Sequence, residues 1–183
     1  MSVGVLWANK GFERHYNCAQ IVEYKRSTSQ IAELLACKTA LDLLEDRYET
    51  ATDNPLYGDR PNVVLKSDSA YLVQGITEYM PKWVANGFIN SKGLPVANQE
   101  LWQEVDRLLT LLETGDMRIQ FWLVPREQNT EADALARWAM RNPTSDKYSY
   151  LTVQDKMWMG LSSAEQDEEE LHEIWGTGDF VLE

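Results

Sequence analysis

"VVLKSDSAYLVQGITEYM" (63–80) carries the reading of the fold. Val63, Val64 and Leu65 make a short, β-branched apolar run, which reads as a buried strand. Ser67-Asp68-Ser69 ends it. The segment from Ala70 reads as a helix that stops near Pro81, where a ring replaces the backbone N–H. A strand passing straight to a helix through an acidic residue belongs to an α/β arrangement.

Working outward, the flanking segments agree. "QELWQEVDRLLTLLETG" (99–115) places Leu101, Val105, Leu108 and Leu112 on one helical face, and Gly115 ends it. "RIQFWLV" (118–124) alternates and reads as a strand, "PREQN" (125–129) as a turn, and "TEADALARWAM" (130–140) as a helix. On the other side, "TATDNPLYGDRPN" (50–62) is a loop. "IAELLACKTALDLLEDRYE" (31–49) is a helix with Leu34, Cys37, Leu41 and Leu44 on one face, and "RSTSQ" (26–30) offers capping hydroxyls. "AQIVEYK" (19–25) is extended. "SVGVLWANKGFERHY" (2–16) reads as a hairpin turning at Asn9-Lys10-Gly11. "KWVANGFINSKGLPVAN" (82–98) reads as a loop or a broken helix. The order is β-β-β-α-β-α-α-β-α, an α/β domain with a mixed sheet over residues 1–140. Residues 141–183 form an acidic C-terminal extension with two short β-prone pieces, "YSYLTV" (148–153) and "GDFVLE" (178–183).

The chain has 183 residues and a net charge of −12, unevenly spread. Residues 1–139 carry 14 Lys and Arg against 19 Asp and Glu, and residues 140–183 carry 3 against 10. The acids concentrate in "AEQDEEELHE" (164–173), which reads as a solvated helix or a disordered run. Such charge opposes nonspecific binding to phosphate backbones. No apolar run reaches the length of a membrane span. The start lacks the features of a secretory signal, and Cys18 and Cys37 read as small core residues. An intracellular setting, cytoplasmic or nuclear, is the expectation. His15 and His172 are too few and too scattered for a metal site.

Three acids stand where strands hand over to helices: Glu33, Asp68 and Asp133. Singly, each has a plain reading, as a helix cap or a partner of a helix dipole. Gathered at one sheet edge, they make a site for Mg2+, which prefers oxygen ligands. Two such ions can activate water and stabilise a leaving oxygen in phosphodiester cleavage.

Four segments then match one family in order. "AELLACKTALDLL", "LKSDSAYLVQGITEYMPKW", "LWQEVDRLL" and "VPREQNTEADALA" resemble the type 1 ribonuclease H family, which cleaves RNA in RNA–DNA hybrids. The resemblance covers about residues 3–140. It implies a ribonuclease H-like five-stranded mixed sheet flanked by helices. It makes Glu33, Asp68 and Asp133 both the catalytic residues and the metal ligands, with Mg2+, or Mn2+ in its place, as cofactor. An RNA–DNA hybrid or another nucleic acid is the implied partner.

Two departures qualify the activity. The family opens with a central strand bearing a Thr-Asp-Gly signature, and this chain starts at the hairpin that follows it. "PREQN" also replaces a loop that in many members carries a His. Between Lys82 and Lys92 the platform for a DNA strand holds only those two cations, with Trp83 and Phe88 for stacking. An empty central slot would expose two strand edges. The expectation is that "YSYLTV", "GDFVLE" or a partner segment fills it, including by strand exchange in a homodimer. Were "DFVLE" to enter reversed, Asp179 would come near Asp68. Three readings of function follow: a Mg2+-dependent ribonuclease H; a member with impaired or lost catalysis, kept as a nucleic-acid-binding or interaction module; or a truncated form of an active enzyme. The second is favoured.

Overall fold

The computed structural model describes residues 2–8, 18–22, 24–25, 28–51, 62–115, 117–141, 149–150 and 179–182, with several strand and helix ends described by backbone alone. The Asn9-Lys10-Gly11 turn, the 12–16 run, most of the 50–62 loop and the acidic 164–173 run lie outside these residues.

Among the described residues, six strands form one mixed sheet. They are β1 (Ser2–Ala8), β2 (Cys18–Ile21), β3 (Asn62–Ser67), β4 (Arg118–Leu123), β5 (Ser149–Tyr150) and β6 (Asp179–Leu182). Their order across the sheet is β4-β3-β6-β1-β2-β5. The helices are α1 (Ser29–Ala51), α2 (Ala70–Gln74), α3 (Met80–Asn86), α4 (Gln99–Thr114) and α5 (Thr130–Arg141). The sheet is mixed as expected, with six strands rather than five. The extra one, β5, is a two-residue addition to the outer edge of β2.

The partner of β1 is Cys18–Ile21, with Val5 opposite Cys18 and Ser2 opposite Ile21. The 19–25 piece therefore supplies the strand beside β1, a place the sequence reading assigned to the run after Gly11.

The slot between β1 and β3 is filled by β6, antiparallel to β1 and parallel to β3. Asp179–Leu182, within "GDFVLE", thus enters the slot, and Ser149–Tyr150, within "YSYLTV", take the far edge. The direction differs from the one that would bring Asp179 to Asp68. Asp179 is in register with Val64, and Leu182 with Ser67. Asp179 stands three residues, about 10 Å, from the end where Asp68 follows Ser67.

Burial explains the elements. In α1, Leu34, Cys37 and Leu41 are fully buried and Leu44 nearly so, as their spacing predicts. The first turn of α1 is capped by Thr28, whose Oγ1 accepts from the Ile31 N–H at 3.2 Å. In α4, Leu101, Trp102, Val105, Leu108 and Leu112 are buried and pack toward α1. Val63 and Leu65 join that cluster, while Val64 is buried outside it. The alternation means β3 is covered on both faces, so it reads as a continuous apolar run. The stripe Ala132, Leu135, Ala136 and Ala139 of α5 is buried against β1 and β2.

Pro81 does not end the helix. Gly75–Tyr79 form a π-helical turn, and α3 starts at Met80 with Pro81 in its first positions. A proline is tolerated there because its absent N–H is one the first turn leaves unused. The turn lets Gly75 pass under the buried Trp102 ring. A Cβ at Gly75 would clash with Cη2 of the Trp102 ring. Gly75→Ala is therefore expected to cost about 1–3 kcal/mol by overpacking, read as a lower urea midpoint at unchanged slope. A midpoint equal to wild type would mean that Trp102 has room to move.

Candidate active site

Each candidate acid takes its place from a different element. Asp68 follows the last residue of β3. Ser67 Oγ accepts from the Ser69 N–H at 3.1 Å, and Ser69 Oγ caps α2 by accepting from the Leu72 N–H at 3.3 Å. The two serines do the capping, which leaves the Asp68 carboxylate to face another group. The sequence reading had offered Asp68 itself as a cap. On the other side of Ser67, its carbonyl accepts from the Val124 N–H at 3.0 Å, which ties the end of β3 to the end of β4.

Glu33 stands in the first turns of α1, between the buried Ile31 and Leu34. Its Oε2 is buried and has no hydrogen-bond partner. Burial, and then the negative charge of Asp68, push its carboxyl up to about 7, while Arg126 pulls the other way. Glu33 and Asp68 are therefore close enough to repel, with Arg126 near enough to compensate in part.

Asp133 lies in the first turn of α5 and forms an ion pair with Arg137, one helical turn on. Its N–H donates to the Asn129 carbonyl at 3.2 Å. Among the described residues, no three His, Cys, Asp or Glu side chains gather as a metal-holding group. The structure thus brings Glu33 and Asp68 together and leaves the Asp133 carboxylate with Arg137. The donor chemistry of the Glu33–Asp68 pair suits a hard cation. It offers oxygen ligands only, one of them buried without a partner, and a mutual repulsion that a cation would relieve.

The "PREQN" segment is more than a surface turn. After Pro125 it makes a short 3₁₀ turn, Arg126–Gln128. This brings Arg126 toward Glu33 and buries Asn129, which is 1% exposed. Asn129 Nδ2 donates to Asp68 Oδ1 at 2.8 Å. The sequence signal at Asn129 is only that of an Asn before a helix. Arg137 was legible from its four-residue spacing to Asp133.

The stacking platform is also altered. Phe88 is buried in the core, 7% exposed, and is not available to a ligand. Trp83 stacks on Tyr79 at 5.7 Å and tilts against Trp102 at 5.3 Å. Lys82 lies over the Tyr79 ring at 5.8 Å. Tyr71 supports the group from below, its hydroxyl accepting from Trp102 Nε1 at 3.1 Å. No helix among the described residues is long and apolar enough to cross a membrane.

Comparison with known proteins agrees with the fold. The family profile described as RNase H matches residues 2–141. The ribonuclease H of Klebsiella pneumoniae is 33% identical over 132 residues, covering 70% of this chain and 74% of that protein. The foamy viral protease–reverse transcriptase, solved in complex with an RNA/DNA hybrid, is similar in fold at a TM-score of 0.55 and 22% identity. That match covers 75% of this chain and 17% of the viral one. The PFV RNase H domain matches at a TM-score of 0.51 and 22% identity, over 78% of this chain and 83% of the domain. With the mixed sheet, the helices and the profile over residues 2–141 in agreement, the chain belongs to the ribonuclease H family.

Proposed function

We propose that this protein binds RNA–DNA hybrids and cleaves their RNA strand slowly or not at all. In this reading Glu33 and Asp68 hold a divalent cation, Mg2+ or Mn2+, and Asp133 contributes only when Arg137 releases it. A cation held there supplies water activation and charge neutralisation at the phosphodiester. The protein's own part is to keep Glu33 desolvated and Asp68 pointed. Residues 1–140 act as the ribonuclease H-like unit, and residues 141–183 as an acidic extension that adds β5 and β6.

The observation that carries the reading is the division of the acids. Two lie near enough for their charges to interact, and the third is ion-paired with Arg137 of its own helix. An acid already paired with a guanidinium must exchange that partner for a cation, which weakens the site. Acidic charge concentrated in residues 140–183 also weakens attraction to phosphates.

The test measures hybrid binding by fluorescence anisotropy and hybrid cleavage in Mg2+ and in Mn2+, beside Asp68→Asn. Binding is expected, and removing a negative charge at Asp68 should leave it equal or tighter. Cleavage is expected at least about 10³-fold below that of the Klebsiella relative measured in parallel, and to vanish in Asp68→Asn. A rate equal to the relative's would overturn impaired catalysis. Failure to bind hybrid would overturn the nucleic-acid reading.

A further inference from the structure

We infer that Asn129 is a positioning residue that aims the Asp68 carboxylate. The inference rests on Glu33 and Asp68 being the cation-holding pair. Asn129 is 61 residues from Asp68 in sequence and 1% exposed. Its side-chain amide donates to Asp68 Oδ1 at 2.8 Å, a charge-assisted, part-buried bond. Its main-chain carbonyl accepts from the Asp133 N–H at 3.2 Å. One residue therefore bonds the Asp68 carboxylate through its side chain and starts α5, which carries Asp133, through its backbone.

The consequence follows from geometry. Asp68 sits just past a strand end and is only partly buried, so its carboxylate would otherwise rotate. With Oδ1 held by Asn129, the carboxylate is presented in one orientation. Glu33 Oε2, buried with no hydrogen-bond partner, is the oxygen the second acid of the pair offers. Partners of this kind, one bond removed from a metal, typically cost 10–100-fold in affinity when lost. The turn that carries Asn129 also brings Arg126 toward Glu33, so the 125–129 segment addresses both members of the pair.

The test titrates the full chain with Mn2+ and follows free ion by electron paramagnetic resonance. It compares wild type with Asn129→Ala and Asn129→Leu. Leucine keeps the buried volume and lacks the donor, so it separates loss of the hydrogen bond from loss of packing. Both variants are expected to bind Mn2+ about 10–100-fold more weakly while still unfolding cooperatively. A folded Asn129→Leu protein that binds Mn2+ as wild type does would overturn the role. Side-chain amide resonances of Asn129 give a second, cation-free readout. They should be protected from exchange in wild type and lose protection in Asp68→Ala. If wild type takes up no Mn2+, the cation reading of the pair fails, and these resonances then decide the contact. Unprotected resonances overturn it.

Discussion

With divalent cations removed, wild-type protein is expected to lose about 3 kcal/mol of stability between about pH 4 and pH 9, a loss absent from Glu33→Gln. Glu33 ionises at about 7 in the folded protein and near the ordinary glutamate value of 4.5 when unfolded. Below the unfolded value both states are protonated and the group has no effect on the balance. As pH rises from there, the unfolded chain releases its proton first, so folding becomes less favourable. Above the folded value the loss is complete. The cause is mainly burial, joined by repulsion from Asp68. Glutamine has no proton to lose and keeps the shape. Urea unfolding across this range in the presence of a chelator reads the effect. Adding Mg2+ or Mn2+ at high pH should restore wild type and change Glu33→Gln much less, because a cation relieves the repulsion only where the charge exists. Parallel stability curves for the two proteins would mean that Glu33 is more solvated than its position indicates.

Val181→Pro is expected to cost at least about 3 kcal/mol, a large fraction of the stability of an ordinary domain, read as a much lower urea midpoint. Val181 is opposite Leu6 on one side and Lys66 on the other, so β6 is paired along both edges. Proline removes a ladder donor and cannot be accommodated in a central strand. Tyr150→Pro is the control. Tyr150 lies in a two-residue strand at the outer edge of β2, and its loss should cost well under half as much. Circular dichroism and urea midpoints report both. If Val181→Pro folds as well as Tyr150→Pro, then β6 does not close the sheet.

These two expectations differ in how far the sequence supports them. Asp68 was legible because a strand-acid-helix succession is local, and Ser67 and Ser69 beside it show their capping roles in three residues. The burial of α1 and α4 was legible because a helix sorts its side chains with a period of 3.6, and Leu34, Leu41, Leu101 and Leu108 fall on that period. Trp83 and Phe88 looked alike as apolar ring side chains in a polar stretch. Only packing separated them, since Phe88 turns into the core and Trp83 stays partly exposed. The continuation of helix past Pro81 was hidden because a π-helical turn has no compositional mark of its own.

The sequence by itself determined helices α1, α4 and α5, the mixed α/β class, the family, and which acids stand at strand–helix junctions, because each follows from short-range periodicity or from matched segments. Only the tertiary structure decided that β6 enters between β1 and β3 parallel to β3, which carries Asp179 away from Asp68. It alone decided that Asn129 reaches Asp68 across 61 residues. Strand direction and long-range side-chain pairing depend on which edges and cavities remain after the rest of the chain has packed, and no local pattern records that.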